Sequence, residues 1–241
     1  MGSFNRSLRL AIALLALTLA VTPLLAAKPK AKKGGELIWT HPSFDSLQIK
    51  SITLLPACSF DHNRENERRV ENLFAQALRP AGYRWVTPAG ARELIKTAQG
   101  ESTLARIDAD ILKNGRIDSL RAGALCRATR TNAIMSMRID LFEQNQVEWN
   151  QSGTPNTTVQ LRAALVDSAG RLLWSASGGE TGEGTPHDPS AGTVGVKSSG
   201  LGTTPITAQG GAPSYDEVTT RLVTRWMTHF PALKPATPAQ P

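Results

Sequence analysis

The stretch Val159-Gln-Leu-Arg-Ala-Ala-Leu-Val-Asp-Ser-Ala-Gly-Arg-Leu-Leu-Trp-Ser-Ala-Ser177 decides how this chain folds. Across residues 157–166, Val159, Leu161, Ala163 and Leu165 alternate with Thr158, Gln160 and Arg162, the period of two expected of a strand with one buried face. Asp167-Ser168-Ala169-Gly170 then supplies a turn: the Asp carboxylate can accept from nearby backbone amides, and Gly can take a positive φ. Leu172, Leu173 and Trp174 resume the apolar run, so the whole reads as a β-hairpin whose Trp174 offers a large apolar face to a helix.

Immediately upstream, residues 133–143 alternate Met135, Met137, Ile139 and Leu141 against Ser136, Arg138 and Asp140, a third half-buried strand. Further back, a β-branched and Leu-rich run over 48–56 (Ile49, Ile52, Thr53, Leu54, Leu55) stops at Pro56 as a buried strand. Val70, Leu73, Phe74, Ala77 and Leu78 follow at helical spacing, closed by Pro80 and Gly82, and residues 83–86 form a short strand. Thr87-Pro88 opens a helix with Ala91, Leu94, Ile95 and Ala98 inward, and two more helical segments, 104–114 and 119–126, fill the middle of the chain. Downstream, Ser214-Tyr-Asp-Glu217 is a capping box ahead of Val218, Leu222, Trp226 and Met227, and that helix stops at Phe230-Pro231. The order strand, helix, strand, helix, strand, hairpin, helix predicts an α/β fold: a single domain with a mixed β-sheet packed with helices, an α/β sandwich.

The formal charge of +7 is not spread over this domain. Arg6, Arg9, Lys28, Lys30, Lys32 and Lys33 account for six of the 27 basic residues, and no acid precedes Glu36, so the body is nearly neutral. A nucleic-acid groove would keep its charge on the fold, so nucleic acid is not an expected partner. Residues 1–27 run from Arg6 and Arg9 through an uncharged Leu/Ala-rich segment to Leu25-Ala26-Ala27, the order of a signal peptide cleaved between Ala27 and Lys28. An uncleaved leader acting as a membrane anchor is the alternative reading. Lys28 stands where a lipid-bearing Cys would follow such an ending, so a soluble periplasmic protein is expected.

The expected organisation is a signal peptide over 1–27, a basic flexible tail over 28–46, the α/β domain over 47–231 and a Pro-rich tail over 232–241. Residues 178–213 hold ten of the twenty glycines, four prolines and no aromatic residue, which predicts a long disordered loop inside the domain. Export to an oxidising compartment permits a disulfide between Cys58 and Cys126, the only two cysteines, if the strand leaving at Cys58 runs antiparallel to the one starting at Ala133. Two buried thiols are one alternative, and a Cys nucleophile, for which no partnering base is marked, is the other.

Three segments resemble a known pattern: Ile52-Thr-Leu-Leu-Pro56 followed by a polar residue and a helix, the hairpin 159–177, and the closing amphipathic helix. The phrase Arg162-x-x-Leu-Val-Asp-x-x-Gly-x-Leu-Leu-Trp-Ser175 resembles the signature hairpin of the CsgG/LpoB-like superfamily, which holds the curli-secretion channel lipoprotein and the lipoprotein activators of penicillin-binding proteins. The resemblance spans roughly 47–231 and implies an α/β sandwich with an envelope role and no catalysis. The chain departs from it at Lys28 and in the Gly-rich insertion before the last helix.

Chemistry-bearing motifs are sparse. His41, His62, His187 and His229 are scattered, no Cys-x-x-Cys occurs, and neither a nucleophile elbow nor a phosphate-cradling Gly-rich loop is present. Asp61, His62 and Glu65, at the end of the first predicted strand, form the one candidate catalytic constellation; its structural counterpart is a helix start with Asp61 as cap and Glu65 near the amino terminus. The expectation is therefore a noncatalytic envelope adaptor without cofactor or metal, whose partner is an envelope protein or an anionic envelope surface. Lys28, Lys30, Lys32 and Lys33 would serve as a surface-binding arm. A small periplasmic enzyme around Asp61 and His62, and a subunit of a secretion or transport assembly, are the alternatives.

Overall fold

A computed structural model describes residues 35–148, 151–187 and 211–233. The fold is α/β: a seven-stranded mixed sheet packed with five α-helices. In chain order they are β1 (Leu37–Thr40), β2 (Ser51–Leu54), β3 (Cys58–Ser59), α1 (Arg64–Leu78), β4 (Arg84–Val86), α2 (Pro88–Gln99), α3 (Glu101–Asn114) and α4 (Ser119–Thr129). These are followed by β5 (Ala133–Asn145), β6 (Asn156–Asp167), β7 (Leu172–Glu183) and α5 (Tyr215–Met227). The strand order is β1-β7-β6-β5-β2-β4, with β3 pairing β5 further along. Strand β2 is parallel to both β4 and β5, whereas β5, β6, β7 and β1 are antiparallel neighbours.

Helices cover both faces, because each strand of the sheet's centre is apolar on both sides. Against one face, Val70, Phe74 and Leu78 of α1 and Val218, Leu222 and Trp226 of α5 pack on Ile52, Met135, Met137, Leu161, Leu165 and Trp174. Against the other, Ala91, Ile95, Ile107, Ile111 and Leu125 of α2, α3 and α4 pack on Leu55, Ile134 and Val166. The inward stripe of α2 is narrower than its spacing predicts: Ala91 and Ile95 are buried, but Leu94 and Ala98 are exposed.

The hairpin forms as its residues dictate. Gly170 takes φ +79°, and the buried Asp167 accepts from the Ala169 and Arg171 amides at 2.9 Å each and from Arg171 Nε at 2.7 Å. Trp174 is fully buried, edge-on to Phe230 at 5.1 Å.

Two boundaries are corrected. The expected flexible tail over 28–46 ends earlier, since Leu37–Thr40 adds to β7 as the edge strand β1 and Phe44, in a following 3-10 turn, is buried in the core. The expected loop over 178–213 also starts later, because β7 continues to Glu183 opposite Asn156. Its glycines permit close approach: a Cβ on Gly182 would stand 2.8 Å from Val218 of α5, and one on Gly179 would stand 3.0 Å from the Val159 carbonyl. The composition of the segment thus reflects packing in its first six residues, while its stretch over 188–210 lies outside the described residues.

Candidate functional site

The parallel strand β2 delivers its chain to the carboxyl edge of the sheet at Pro56, the position where α/β folds commonly build sites. From there β3 and a short turn lead into α1. Asp61 accepts from the Asn63 amide at 3.2 Å, and Asn63 is the residue that caps the helix, its Oδ1 accepting from the Glu65 and Asn66 amides at 3.1 and 3.2 Å. The cap is therefore Asn63 rather than Asp61. Asp61 shapes the turn before it, with His62 in the left-handed region at φ +51°.

Asp61, His62 and Glu65 are all exposed, and Glu65 is paired with Arg69 at 2.6 Å one turn along α1. The Ser59 hydroxyl and the Asn63 amide hold the Asp61 carboxyl below its ordinary range. A solvated carboxylate with a lowered pKa makes a poor general acid or base at neutral pH. The three residues are neighbours along the chain, and none of them lines the cleft beside them.

Beside them lies a cleft of about 410 Å³ that single-residue reading missed. Its walls are the first two turns of α1 (Arg64, Glu67, Arg68, Glu71) and the first turn and a half of α2 (Pro88, Ala89, Arg92, Glu93), with Pro56 at the base. Glu67 is buried, accepting from the Ser59 amide at 3.2 Å and the Ser59 hydroxyl at 3.0 Å and pairing with Arg64 at 3.0 Å. Glu71 accepts from the Ala57 amide at 3.0 Å, and burial pushes its carboxyl above the ordinary range. Helical spacing puts Arg64, Arg68 and Glu71 on one face, which is legible in sequence, but the approach of α2 from across β2 is not.

The two cysteines are buried and free, which overturns the expected Cys58–Cys126 bridge. The reason is strand direction. Strands β2 and β5 are parallel, so Ala133 sits beside Ile52 and Cys58 is carried up the sheet to the level of Arg138, about 16 Å further at 3.3 Å per residue. Cys126, on the helix that feeds β5 from below, stays near the lower end, and a disulfide needs Cα atoms within about 7 Å. Burial and the Asp108 carboxylate, 3.5 Å from Sγ, push the Cys58 thiol up, and burial pushes Cys126 up to about 11. Neither is an activated nucleophile.

Ala27, Lys28, Lys30, Lys32 and Lys33 lie outside the described residues. Of the chain that follows, β1 is the outermost strand, and its Leu37 and Trp39 are 72% and 43% exposed. Register aligns them with Ser177 and Ser175 on the sheet face opposite to Ile38, which packs on the core. Among the described residues no cluster of three or more His, Cys, Asp or Glu side chains could hold a metal, and no helix is long and apolar enough to cross a membrane.

No family model and no curated protein matches the chain. Solved structures of similar fold include a lipoprotein from Neisseria meningitidis, 25% identical over 56% of this chain and 83% of that one, at a TM-score of 0.43. A PelC dodecamer from Paraburkholderia phytofirmans is 12% identical over 83% of this chain and 99% of that one, at a TM-score of 0.46. The LpoB C-terminal domain from Salmonella enterica is 12% identical over 54% of this chain and 81% of that one, at a TM-score of 0.32.

Proposed function

We propose that this chain is an exported, noncatalytic protein of the bacterial envelope, an interaction or assembly adaptor of the periplasm released by cleavage between Ala27 and Lys28. One observation carries the reading. Strand β1, the open edge of the sheet with Leu37 and Trp39 exposed, begins four residues after the last lysine of the run Lys28, Lys30, Lys32 and Lys33. A cationic run and a strand edge that pairs with no other strand among the described residues are thereby contiguous along the chain, and an edge strand is a template for docking rather than for chemistry. Asp61, His62 and Glu65, each engaged in shaping or bracing the start of α1, favour the adaptor over a small enzyme.

The test is co-sedimentation of residues 28–241 and 34–241 with phosphatidylglycerol vesicles at low and high salt. Each lysine near an anionic membrane contributes about 1 kcal/mol of attraction that salt screens, so removing four should cut binding at least tenfold at low salt. Equal sedimentation of the two chains at low salt would remove the arm from the reading.

A further inference from the structure

The charges of the cleft between α1 and α2 are unevenly engaged. Glu67 is committed to Ser59 and to Arg64, while Glu71 accepts from the Ala57 amide through one oxygen and feels the charges of Arg92 and Arg64 at longer range. Arg68 and Arg92 also line the cleft, yet among the described residues neither makes an ion pair within 4.0 Å. Arg68 and Arg92, on separate helices, thus line a common space of about 410 Å³, within the range of small-ligand sites, with the exposed Glu93 the one lining acid that makes no ion pair or hydrogen bond among the described residues. The wall opposite α1 also carries the Ala89 amide, a first-turn donor of α2 that the Thr87 cap, which takes the Gly90 amide, does not satisfy.

We infer that this cleft binds a small ligand through an anionic phosphate or carboxylate group, held by Arg68 and Arg92 with the Ala89 amide as a third donor. Guanidinium groups suit both anions because their planar donor fork matches two oxygens at once. Arg64 stays with Glu67 and braces the site, since releasing it would leave a buried carboxylate short of its cation. The half-buried Glu71, which also lines the cleft, limits how deep an anion can sit, because one pushed past the two arginines would meet its carboxylate. The inference is independent of the adaptor reading, which rests on β1 and the lysines.

The experiment is amide-resolved NMR titration of residues 28–241 with inorganic phosphate and, separately, with succinate, against sodium chloride of matched ionic strength. Saturable shifts at Arg68, Ala89 and Arg92 with either anion, absent with chloride, support the site, and the anion that saturates names the group bound. Arg68→Gln combined with Arg92→Gln should weaken that binding at least tenfold, and Glu93→Gln, which removes the rim charge, should tighten it two- to threefold. Shifts that never saturate, or that persist unchanged in the double variant, overturn the proposal. Should the double variant fail to fold, unchanged affinity in Glu93→Gln overturns it instead.

Discussion

Asp167 and Gly170 show how much one residue can specify. Three donors converge on the Asp167 carboxylate while it is almost wholly buried, so Asp167→Ala strands two turn amides and should cost about 2–3 kcal/mol in a urea melt. At Gly170 a Cβ would stand 2.6 Å from the Ser119 carbonyl oxygen at a φ that side chains rarely adopt. Gly170→Ala should therefore destabilise by more than about 1 kcal/mol, beyond the ordinary loss of glycine's freedom. Both roles are legible in the sequence because a tight turn is a local event. The start of α1 is the opposite lesson at the same scale: Asp61 and Asn63 both carry capping side chains, the sequence points to Asp61, and only the structure shows that Asn63 is the cap. Asn63→Ala should cost about 1 kcal/mol of unfolding free energy and Asp61→Ala less than half of that, and the reverse order would return the cap to Asp61. The thiols make a pH prediction. Burial raises Cys126 to about 11 from the ordinary 9.0, so the folded chain keeps a proton that the unfolded chain releases. Its contribution to stability is complete below pH 9 and is lost as pH rises from 9 toward 11, and Cys58 acts in the same direction. Thiol titration at pH 8 should detect two free groups on unfolding without reductant and almost none before it.

The element with the most misleading composition is β7. Leu172, Leu173 and Trp174 announce its start, but glycines at 178, 179 and 182 suggest that it ends where it in fact continues. Glycine is poor in strands, and it is accepted here because α5 and β6 approach too closely for a side chain. Gly182→Val would drive methyl groups into Val218 and into the guanidinium of Arg221, prising α5 from the sheet. The expected result is a loss of about 1–3 kcal/mol, as for other overpacked sites, and a blue-to-red shift of Trp226 emission as that fully buried indole gains water. Strand β1 is legible only after the fact. Leu37, Trp39 and the intervening Ile38 are strand formers, but four residues beside a lysine run carry too weak a period to separate strand from tail. Its partner β7 supplies the missing information from well over a hundred positions away.

At the scale of the whole molecule, Arg225 ties three distant parts together, donating to Glu36 at 2.7 Å just before β1 and to Glu180 of β7 at 2.9 Å. With Phe44 buried beyond β1, the domain extends past the boundary that composition suggests, and truncation tests this. A chain starting at Gly34 should melt within about 2 °C of one starting at Lys28. A chain starting at Gln48 loses β1, Phe44 and the Arg225–Glu36 pair and should be less stable by at least about 3 kcal/mol, the order of a buried Phe. If the two truncations melt together, β1 and Phe44 add nothing to the core. The sequence by itself determined the α/β class, the hairpin and each of the five helices, because hydrophobic period, turn chemistry and capping are set within a few neighbouring residues. Tertiary structure alone decided that β2 runs parallel to β5, and with that the separation of Cys58 from Cys126, the placing of Arg68 and Arg92 along one cleft, and the pairing of β1 with β7. Those outcomes depend on which elements become neighbours, and neighbours are chosen by burial of surface across the whole chain rather than by any local pattern.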